Sequence, residues 1–351
     1  MEIQKLLKEA IKRNASDLHL VAALPPALRI EGEIILMNED KLTDREVGDL
    51  VYQLFNEEQK KIFEKDLKIS FSTLFENFAH FRISAYKHLG NVEAAIRIRP
   101  LEIKSLEELG LPSVAGEFTR KANGLILITG STGVGKTTTF YSMIDLINSE
   151  RRCKIITVED PVEYVHHHKR SVVIQQEIGL DAKSFYSALV HILRLDPDII
   201  GVGEMRDLET ISTALTAAET GHLVIATLHT PNASQTINRI IDVYPPHQQS
   251  QVRAQLAGCL EGVISQALLP SVDKKKRVLA CEILVANDAM RNIIREDKVQ
   301  NLYSIIQTGK NIGMQTMDAS LKELYQEGII TYDVASSYAR NPKALREKQL
   351  P

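Results

Sequence analysis

The stretch LILITGSTGVGKTT, residues 125–138, determines the fold of this chain. Its first five residues are mostly apolar and β-branched, which indicates a buried strand, and they lead into Gly130-x-x-x-x-Gly135-Lys136-Thr137. This spacing fits the phosphate-binding loop, in which consecutive backbone N–H groups turn inward around an anion. The apolar residues that follow recur near helical spacing, so the loop is expected to open a helix whose N-terminus adds to the attraction for phosphate.

Each residue type in this loop has a chemical reason. Gly133 and Gly135 permit positive φ and leave no Cβ between the backbone and a phosphate. Lys136 can reach the β- and γ-phosphates as a point charge, and Thr137 offers a hydroxyl to Mg²⁺. The alternative, a Gly-rich turn that binds nothing, is disfavoured by the complete motif in its strand and helix context. The sequence therefore predicts a nucleotide held by Ser131, Thr132, Gly133, Val134, Gly135, Lys136, Thr137 and Thr138.

Composition is typical of a soluble globular protein long enough for two domains. The chain has 351 residues, of which 44% are hydrophobic and 25% charged, and its net charge of −3 gives no global attraction to nucleic acid or anionic membrane. Three cysteines far apart form no CxxC pair, which argues against a zinc site and a disulfide framework. No apolar run approaches the ~18 residues of a membrane span. We therefore expect a cytoplasmic protein whose membrane role is peripheral and depends on a partner.

The pattern along the chain predicts two domains joined by a linker. Residues 1–99 alternate short strand-like segments with amphipathic helical ones, as in a small α+β domain on an antiparallel sheet. Residues 100–113 contain two prolines and are interpreted as the linker. In residues 114–351 strands and helices alternate, which predicts a mostly parallel sheet with helices on both faces. The stretch QQSQVRAQLAGCLEGVISQALL, residues 248–269, is interpreted as a long helical pattern.

A first acidic element is RLDPDIIGVGEMRD, residues 194–207. Its apolar core predicts a buried strand, and an ordinary second nucleotide-site motif would end that strand with a metal-binding Asp followed by a catalytic acid. Gly203 stands where the Asp is expected, whereas Glu204 keeps the catalytic position. There Glu204 could align water or share the Mg²⁺ shell. The alternative is an exposed carboxylate at a strand end.

A second acidic element, ITVEDPVEY at residues 156–164, carries Glu159, Asp160 and Glu163. Ligands bind at the carboxyl ends of strands in open α/β sheets. Three carboxylates beside a polyphosphate would repel it unless metal or protons intervene, so this element indicates Mg²⁺ handling or water activation. The alternative is a solvated turn around Pro161.

Two histidines flank one predicted strand in GHLVIATLHT, residues 221–230. His222 and His229 should lie at opposite ends of that strand, so only His229 reaches the carboxyl edge where a nucleotide would bind. An imidazole there could sense the γ-phosphate, while His222 would hold an adjacent loop. Elsewhere, HHH at 166–168 is interpreted as a polar loop and not as a metal site, because successive residues of an extended segment face opposite ways. DKKKR at 273–277 is interpreted as a solvated hairpin turn.

Together these motifs resemble those of the secretion ATPase superfamily and, within it, the type IV pilus retraction ATPases. GSTGVGKTT resembles the Walker A motif, ITVEDPVE the aspartate box, DPDIIGVGEMRD the atypical Walker B motif and TAAETGHLVIATLHT the histidine box. Four motifs in this order are far more specific than any one of them. The resemblance implies an N-terminal PAS-like α+β domain, a C-terminal RecA-like P-loop domain, a homohexameric ring, and Mg²⁺-dependent hydrolysis of ATP to ADP and phosphate.

The resemblance also implies roles for individual residues. Arg82 and Arg97 match arginines of the N-terminal domain that close onto the phosphates, with Arg99 as the competing candidate beside Arg97. Glu204 matches the Walker B glutamate and Glu163 the aspartate-box glutamate proposed to activate water, and which of them is the general base stays open. Lys136 and His229 complete the implied catalytic set, and Thr137 and Glu204 would hold Mg²⁺, with Glu159 and Asp160 as further candidates. The remaining residues at family-motif positions are His222, Arg206, Met290, Arg291 and Asn292.

Direction of action is inferred from one motif and two absences. AMRNIIRE, residues 289–296, resembles the AIRNLIRE motif of the retraction ATPases, and the chain lacks the extra N-terminal domain and four-cysteine insertion usual in assembly and secretion ATPases. The resemblance thus implies a motor for pilus retraction and twitching motility, partnered by an inner-membrane platform protein and a paralogous retraction ATPase. The alternatives are an extension or type II secretion ATPase and, less favoured because no basic and aromatic residues interleave, a nucleic-acid motor.

Overall fold

The computed structural model describes residues 2–13, 15–30, 32–75, 79–100, 103–273 and 276–345, without the side chains of 74, 75, 79, 80, 99, 100 and 344. Leu101 and Glu102 of the predicted linker, and the side chain of Arg99, therefore lie outside the described residues. The chain divides into two compact units, Met1–Glu102 with Glu163–Val165, and Ile103–Val162 with His166–Pro351. Across the described ranges no helix is both long enough and apolar enough to cross a membrane.

The described part of the first unit contains three helices and six strands. The helices are α1 (Ile3–Lys12), α2 (Asp44–Tyr52) and α3 (Glu57–Asp66), and the strands are β1 (Asp17–Leu20), β2 (Ala27–Ile30), β3 (Glu33–Leu36), β4 (Lys68–Phe75), β5 (Ala79–His88) and β6 (Asn91–Pro100). The α2 helix begins with a capping box formed by Thr43 and Glu46. The α3 helix was not anticipated from the sequence.

All strand pairs of the first unit are antiparallel, in the order β3-β2-β1-β6-β5-β4. Residues directly opposite each other in such a sheet share one face. One face presents Leu18, Leu28 and Ile96 to a core shared with α1 and α2. The opposite face presents Asp17 with its neighbours, including Arg97. The sheet thus places charged side chains on the face away from its own core.

The described part of the second unit contains ten α-helices and seven strands. The helices are α4 (Val114–Thr119), α5 (Lys136–Glu150), α6 (Phe185–Ile192), α7 (Leu208–Glu219), α8 (Ala233–Asp242), α9 (Pro246–Cys259), α10 (Asp288–Arg295), α11 (Leu302–Thr308), α12 (Met317–Gln326) and α13 (Tyr332–Tyr338). The strands are β7 (Gly124–Thr129), β8 (Lys154–Glu159), β9 (Val172–Glu177), β10 (Ile199–Val202), β11 (Leu223–Leu228), β12 (Leu260–Pro270) and β13 (Arg277–Val285).

The seven-stranded sheet has the order β13-β12-β7-β11-β10-β8-β9 and is parallel except for β13. All residues of β7, β10 and β11 are buried, as expected for central strands covered by helices on both faces. Because the strands are parallel, the loop after β7, the acidic turn after β10 and the end of β11 meet at one carboxyl edge.

The interpretation of residues 248–269 as one long helical pattern is wrong. The segment instead divides at Cys259 into α9 and the central strand β12, and β13 then adds an antiparallel edge strand that the sequence did not indicate. A short, continuously apolar run such as GVISQALL cannot be assigned to a helix or a strand by periodicity alone. Its burial between β7 and β13 decides the matter.

Candidate active site

The loop between β7 and α5 has the backbone conformation that phosphate binding requires. Gly130, Gly133 and Gly135 adopt φ of 143°, 81° and 92°, values that L side chains rarely adopt. At Gly130 an added Cβ would also lie 2.5 Å from the carbonyl oxygen of Gln266. Gly135 is the N-cap of α5 and offers no side-chain cap. The first N–H groups of this helix are therefore left for a ligand, as in anion sites at helix N-termini.

Lys136 is buried and directed back into the loop. Its Nζ donates to the carbonyl oxygens of Gly130 at 2.8 Å and Ser131 at 2.9 Å. Burial lowers the pKa of Lys136, and the charge of Glu204 opposes that effect. An ammonium group removed from water and facing backbone carbonyls is poised for a stronger anionic partner, so the arrangement fits a phosphate.

His229 connects this loop to the acidic turn after β10. Its Nδ1 lies 3.4 Å from both Lys136 Nζ and Thr132 Oγ1, and its Nε2 lies 3.1 Å from Oε1 of Glu204. An ammonium group can only donate, so Nδ1 accepts a hydrogen bond from Lys136. Nε2 therefore carries the hydrogen and donates it in a hydrogen bond to Glu204. The structure therefore brings Lys136, His229 and Glu204 together at the carboxyl edge.

Glu204 is held from its other side by Arg206, whose Nη2 lies 2.6 Å from Oε2. Burial alone would raise the pKa of Glu204, but the hydrogen bonds from Arg206 and His229 and the charge of Arg206 outweigh it, so the net pKa is lowered. The side chain is 18% exposed, which keeps one approach to the carboxylate open. Glu204 is therefore an ionised carboxylate at the edge where a nucleotide would bind.

Gly203 is constrained by the neighbouring strand. A Cβ at this position would lie 3.2 Å from the Cα of Glu159 and 3.2 Å from the carbonyl oxygen of Val158. The backbone of Gly203 also donates to Val158 at 2.8 Å and its carbonyl accepts from Thr227. The place of the usual metal-binding Asp is thus too close to β8 for a side chain without adjustment.

The acidic residues after β8 have different environments. Glu159 is 3% exposed, and its carboxylate accepts from the hydroxyls of Tyr141 and Thr157 and from the Gln175 amide. Asp160 is exposed. Glu163 belongs to the short segment grouped with the first unit. The role of Glu163 in activating water and those of Glu159 and Asp160 in binding metal stay predictions.

His222 lies at the opposite end of β11 from His229, as predicted. Its Nδ1 lies 3.0 Å from the carbonyl oxygen of Ala217 in the last turn of α7. A polar ring in this place satisfies a helix-terminal carbonyl that would otherwise need water. His222 therefore has a local structural contact on the side of the sheet away from the phosphate loop.

The AMRNIIRE segment forms α10, whose Met290 and Ile294 are buried. Arg291 donates to the carbonyl oxygens of Ala257 and Gly258 at 2.6 and 2.7 Å, and so caps the C-terminus of α9. It also binds Oε1 of Glu261 at 2.7 Å. Asn292 is exposed and donates to Glu296 at 3.1 Å. The segment thus joins α10 to the end of α9.

In the first unit, Arg82 and Arg97 are cross-strand partners on β5 and β6 and are both exposed. Arg97 Nε donates to Oδ1 of Asp17 at 3.0 Å. Like charges placed directly opposite repel each other, and here one carboxylate offsets part of that repulsion. Two adjacent guanidinium groups on one open face suit a phosphate-bearing ligand.

Two contacts, one of the phosphate-binding loop and one of the α5 helix that follows it, were not predicted from the sequence. Arg277, at the start of β13, donates to the carbonyl oxygen of Gly133 at 3.4 Å, although the basic run 273–277 suggested only a solvated turn. Lys274 and Lys275 of that run lie outside the described residues. Gln266 of β12 donates to the Thr139 hydroxyl of α5 at 2.7 Å. Both contacts depend on strand pairing more than 100 residues along the chain, which no local pattern indicates.

No group of three or more His, Cys, Asp or Glu side chains that could hold a metal occurs within the described residues. Mg²⁺ does not require such a group, since it is commonly bound through one or two protein oxygens together with substrate phosphates and water. Thr137, at the start of α5, and Glu204 are two residues at this edge that could supply such oxygens.

A family model described as Type II/IV secretion system protein matches residues 1–349. The chain belongs to this family. Another member, the Pseudomonas aeruginosa protein named Type IV pilus retractation ATPase PilT, is 45% identical over 343 residues, which cover 98% of this chain and 99% of the relative. The Neisseria gonorrhoeae Twitching motility protein is 42% identical over 98% of this chain and 92% of its own length.

Solved structures agree with the family assignment. The one described as Crystal Structure of the Pilus Retraction Motor PilT and Bound ADP matches with a TM-score of 0.91 and 47% identity over 98% of both chains. The predicted α/β fold class and the predicted kinship with secretion ATPases are thereby confirmed. The relatives named as ATPases also bear out the prediction of an ATPase.

Proposed function

We propose that this chain is the subunit of an ATP-hydrolysing motor that powers disassembly and retraction of type IV pili. The observation that carries the proposal is 45% identity across 98% of the chain to a relative named as a retractation ATPase. The geometry independently supports ATP hydrolysis by this chain, because Lys136, His229 and Glu204 lie together beside a phosphate-binding loop.

ATP is bound by the loop after β7, through the residues Ser131–Thr138 and the N-terminus of α5. Lys136 exchanges its two carbonyl contacts for phosphate oxygens, a gain because charge-assisted hydrogen bonds are stronger than those to neutral carbonyls. Thr137 and Glu204 would hold Mg²⁺, which would neutralise negative charge on the phosphates. Because Gly203 has no side chain, Glu204 is the carboxylate that the turn after β10 contributes to this edge.

Water is oriented for hydrolysis by a carboxylate of this chain. Glu204 is ionised and keeps an open approach, and its position is fixed by Arg206 and His229. Glu163 is the second candidate base. His229 joins Glu204 to the loop, so a change at the phosphates is transmitted to the carboxylate through one imidazole.

Arg82 and Arg97 of the first unit supply positive charge to the phosphates. A guanidinium carried on a separate domain neutralises charge in the transition state and reports whether nucleotide is present. Residues 1–99 act as the PAS-like domain, 100–113 as the linker and 114–351 as the RecA-like ATPase domain. The two domains close and part in each cycle, and such closure completes the site.

The motor is a homohexameric ring that acts on an inner-membrane platform protein of the pilus machinery, with a paralogous retraction ATPase as a further partner. The protein is cytoplasmic and peripheral to the inner membrane. The purified protein should release phosphate from ATP only with Mg²⁺, and its mass in solution should be six times that of one chain. A monomer with full activity would contradict the ring, and DNA-stimulated hydrolysis would favour a nucleic-acid motor.

Deletion of the gene in its source cell separates retraction from extension. The proposal expects more surface pili by electron microscopy, on cells that no longer twitch, because extension would continue without its opposing motor. Bald cells would favour an extension or secretion ATPase instead. Re-supply of the wild-type gene should restore both pilus number and motility.

A further inference from the structure

A row of charged residues crosses the open face of the first unit's sheet. In the strand register, Arg29 pairs with Asp17, Asp17 with Arg97, and Arg97 with Arg82. The four residues therefore lie side by side on β2, β1, β6 and β5, on the face away from the core. Neighbouring strands are about 4.8 Å apart, so three guanidinium groups and one carboxylate lie within a short span.

Within this row, hydrogen bonds fix the orientation of the Asp17 carboxylate. It is 8% exposed, and each of its oxygens has its own partner: Oδ1 accepts from Arg97 Nε at 3.0 Å and Oδ2 from the Ser16 hydroxyl at 2.8 Å. Burial would raise the pKa of Asp17, but these hydrogen bonds and the charge of Arg97 outweigh it and keep the pKa low. The carboxylate is thus ionised and fixed in orientation.

The contact with Asp17 determines which part of Arg97 remains available. Asp17 binds the Nε atom, and the terminal nitrogens of Arg97 have no hydrogen bond to any described residue. The side chain stays 60% exposed. Since the guanidinium is planar and rigid, fixing its Nε also fixes the direction of the outward nitrogens. Arg82 differs, because it has no ion pair within the described ranges.

Arg29 does not replace Arg97 as the partner of Asp17. Its Nε lies 3.8 Å from Oδ2, beyond hydrogen-bond distance, and its Nη1 instead donates to the Gly32 carbonyl oxygen at 2.8 Å. Arg29 therefore contributes charge to the row, whereas Arg97 is the arginine that donates a hydrogen bond to Asp17.

We propose that Asp17 is a positioning residue for catalysis: it holds Arg97 by Nε so that the outward guanidinium nitrogens meet the phosphates of ATP. This inference rests on the proposed function, in which Arg97 contacts those phosphates. A guanidinium free to adopt many rotamers binds the transition state less well than one already oriented. Asp17 acts on the reaction only through Arg97.

The test is a double-mutant cycle on the full-length protein, with steady-state ATP hydrolysis and thermal unfolding measured for each variant. The variants are Asp17→Asn, Arg97→Ala and the double variant, with Asp17→Glu as a conservative rescue and exposed Asp49→Asn of α2 as the matched control. Asp17→Asn should lower kcat about tenfold, with Asp17→Glu recovering part of the loss. In the Arg97→Ala background the same change should alter kcat by less than about twofold.

Arg97→Lys provides a second route if Asp17→Asn proves unstable. Lysine keeps the charge but has no guanidinium Nε–H for Asp17 to fix, so this variant should lose activity although Asp17 is intact. An equal loss from Asp17→Asn with and without Arg97 would overturn the inference, because Asp17 would then act through the fold. Full activity in Asp17→Asn with a defective Arg97→Ala would overturn it while sparing the proposed function. Full activity in Arg97→Ala would overturn both this inference and the proposed contact of Arg97 with the phosphates.

Discussion

His229 lies between two groups of opposite charge, with its Nε2 3.1 Å from Oε1 of Glu204. Its Nδ1 faces the ammonium of Lys136 at 3.4 Å. One imidazole therefore joins the loop after β7 to the acidic turn after β10, across the end of β11. The link explains why a histidine at this strand end matters to a site built mainly from a lysine and a carboxylate.

Glu204→Gln should reduce phosphate release about 100-fold or more while leaving nucleotide binding within a few-fold of wild type. The amide keeps the size of the side chain but cannot accept a proton from water or offer full negative charge to Mg²⁺. Phosphate release and equilibrium binding of a fluorescent ADP should be measured together. Glu209→Gln, an exposed acid in the first turn of α7, is the control and should be unaffected. Wild-type turnover in Glu204→Gln would transfer the role to another acid.

Substitution of His229 should affect the rate of ATP hydrolysis, whereas substitution of His222 should affect the stability of the fold. His229→Ala should lower kcat about tenfold, because Lys136 and Glu204 lose their common partner. His222→Ala should instead lower the free energy of unfolding by about 1 kcal/mol, since it removes a contact to the Ala217 carbonyl at the end of α7. Hydrolysis rates and denaturant unfolding of both variants check this. The assignment fails if the two variants show the same pattern.

The pH dependence of ATP hydrolysis should show that Arg206 lowers the pKa of Glu204. In the ligand-free wild type the pKa of Glu204 is lowered from its usual 4.5, so the acid limb of kcat/KM, which reports the free enzyme, should lie below that pH. A carboxyl group whose folded pKa is lowered also stabilises the folded state above its unfolded pKa, and this contribution is lost as pH falls through the folded value. Arg206→Ala should move the acid limb towards neutral pH. Arg239→Ala, an exposed arginine of α8, should leave the profile unchanged.

Gly130→Ala should destabilise the loop by about 2 kcal/mol and abolish nucleotide binding. The new Cβ would lie 2.5 Å from the Gln266 carbonyl oxygen and 2.7 Å from Cγ2 of Val134, at a φ of 143°. Thermal unfolding and ADP binding provide the measurements. Gly48→Ala in α2, where a Cβ meets nothing within 4 Å, should be neutral or slightly stabilising. Normal ADP binding by Gly130→Ala would show that the loop can adjust.

Glu282→Gln should stabilise the protein at neutral pH but not near pH 4. Burial raises the pKa of Glu282, despite the hydrogen bond from Ala233 N to its carboxylate. The folded state therefore binds its proton more tightly than the unfolded state, and stability falls as pH rises above the unfolded value near 4.5. Unfolding curves at both pH values would check the sign. The exposed Glu209→Gln should show no such difference.

Most of the fold could be predicted from the sequence because its signals are local. The strand, loop and helix around Lys136 follow from a contiguous motif, and the placement of His222 and His229 follows from the length of one strand. β12 could not be identified, since a short apolar run fits a buried helix or a buried strand equally well. Its neighbours in the sheet, and not its own residues, make it a strand.

The site was predicted less completely, because several of its contacts join distant parts of the chain. Arg97 and Asp17 are 80 residues apart and meet only through the register of β6 on β1. Arg277 reaches Gly133 across 144 residues. A motif states which residue types are needed, whereas the orientation of those residues depends on strand pairing that periodicity does not specify.

The most direct test of the central claim is to replace Glu204 by Gln in the source cell and record labelled pili by fluorescence microscopy. The account predicts pili that extend and then fail to retract, on cells that no longer twitch, with the protein present at its normal level. Retraction at the wild-type frequency by a variant whose purified form no longer hydrolyses ATP, or the absence of pili, would contradict the proposal that ATP hydrolysis by this chain powers retraction.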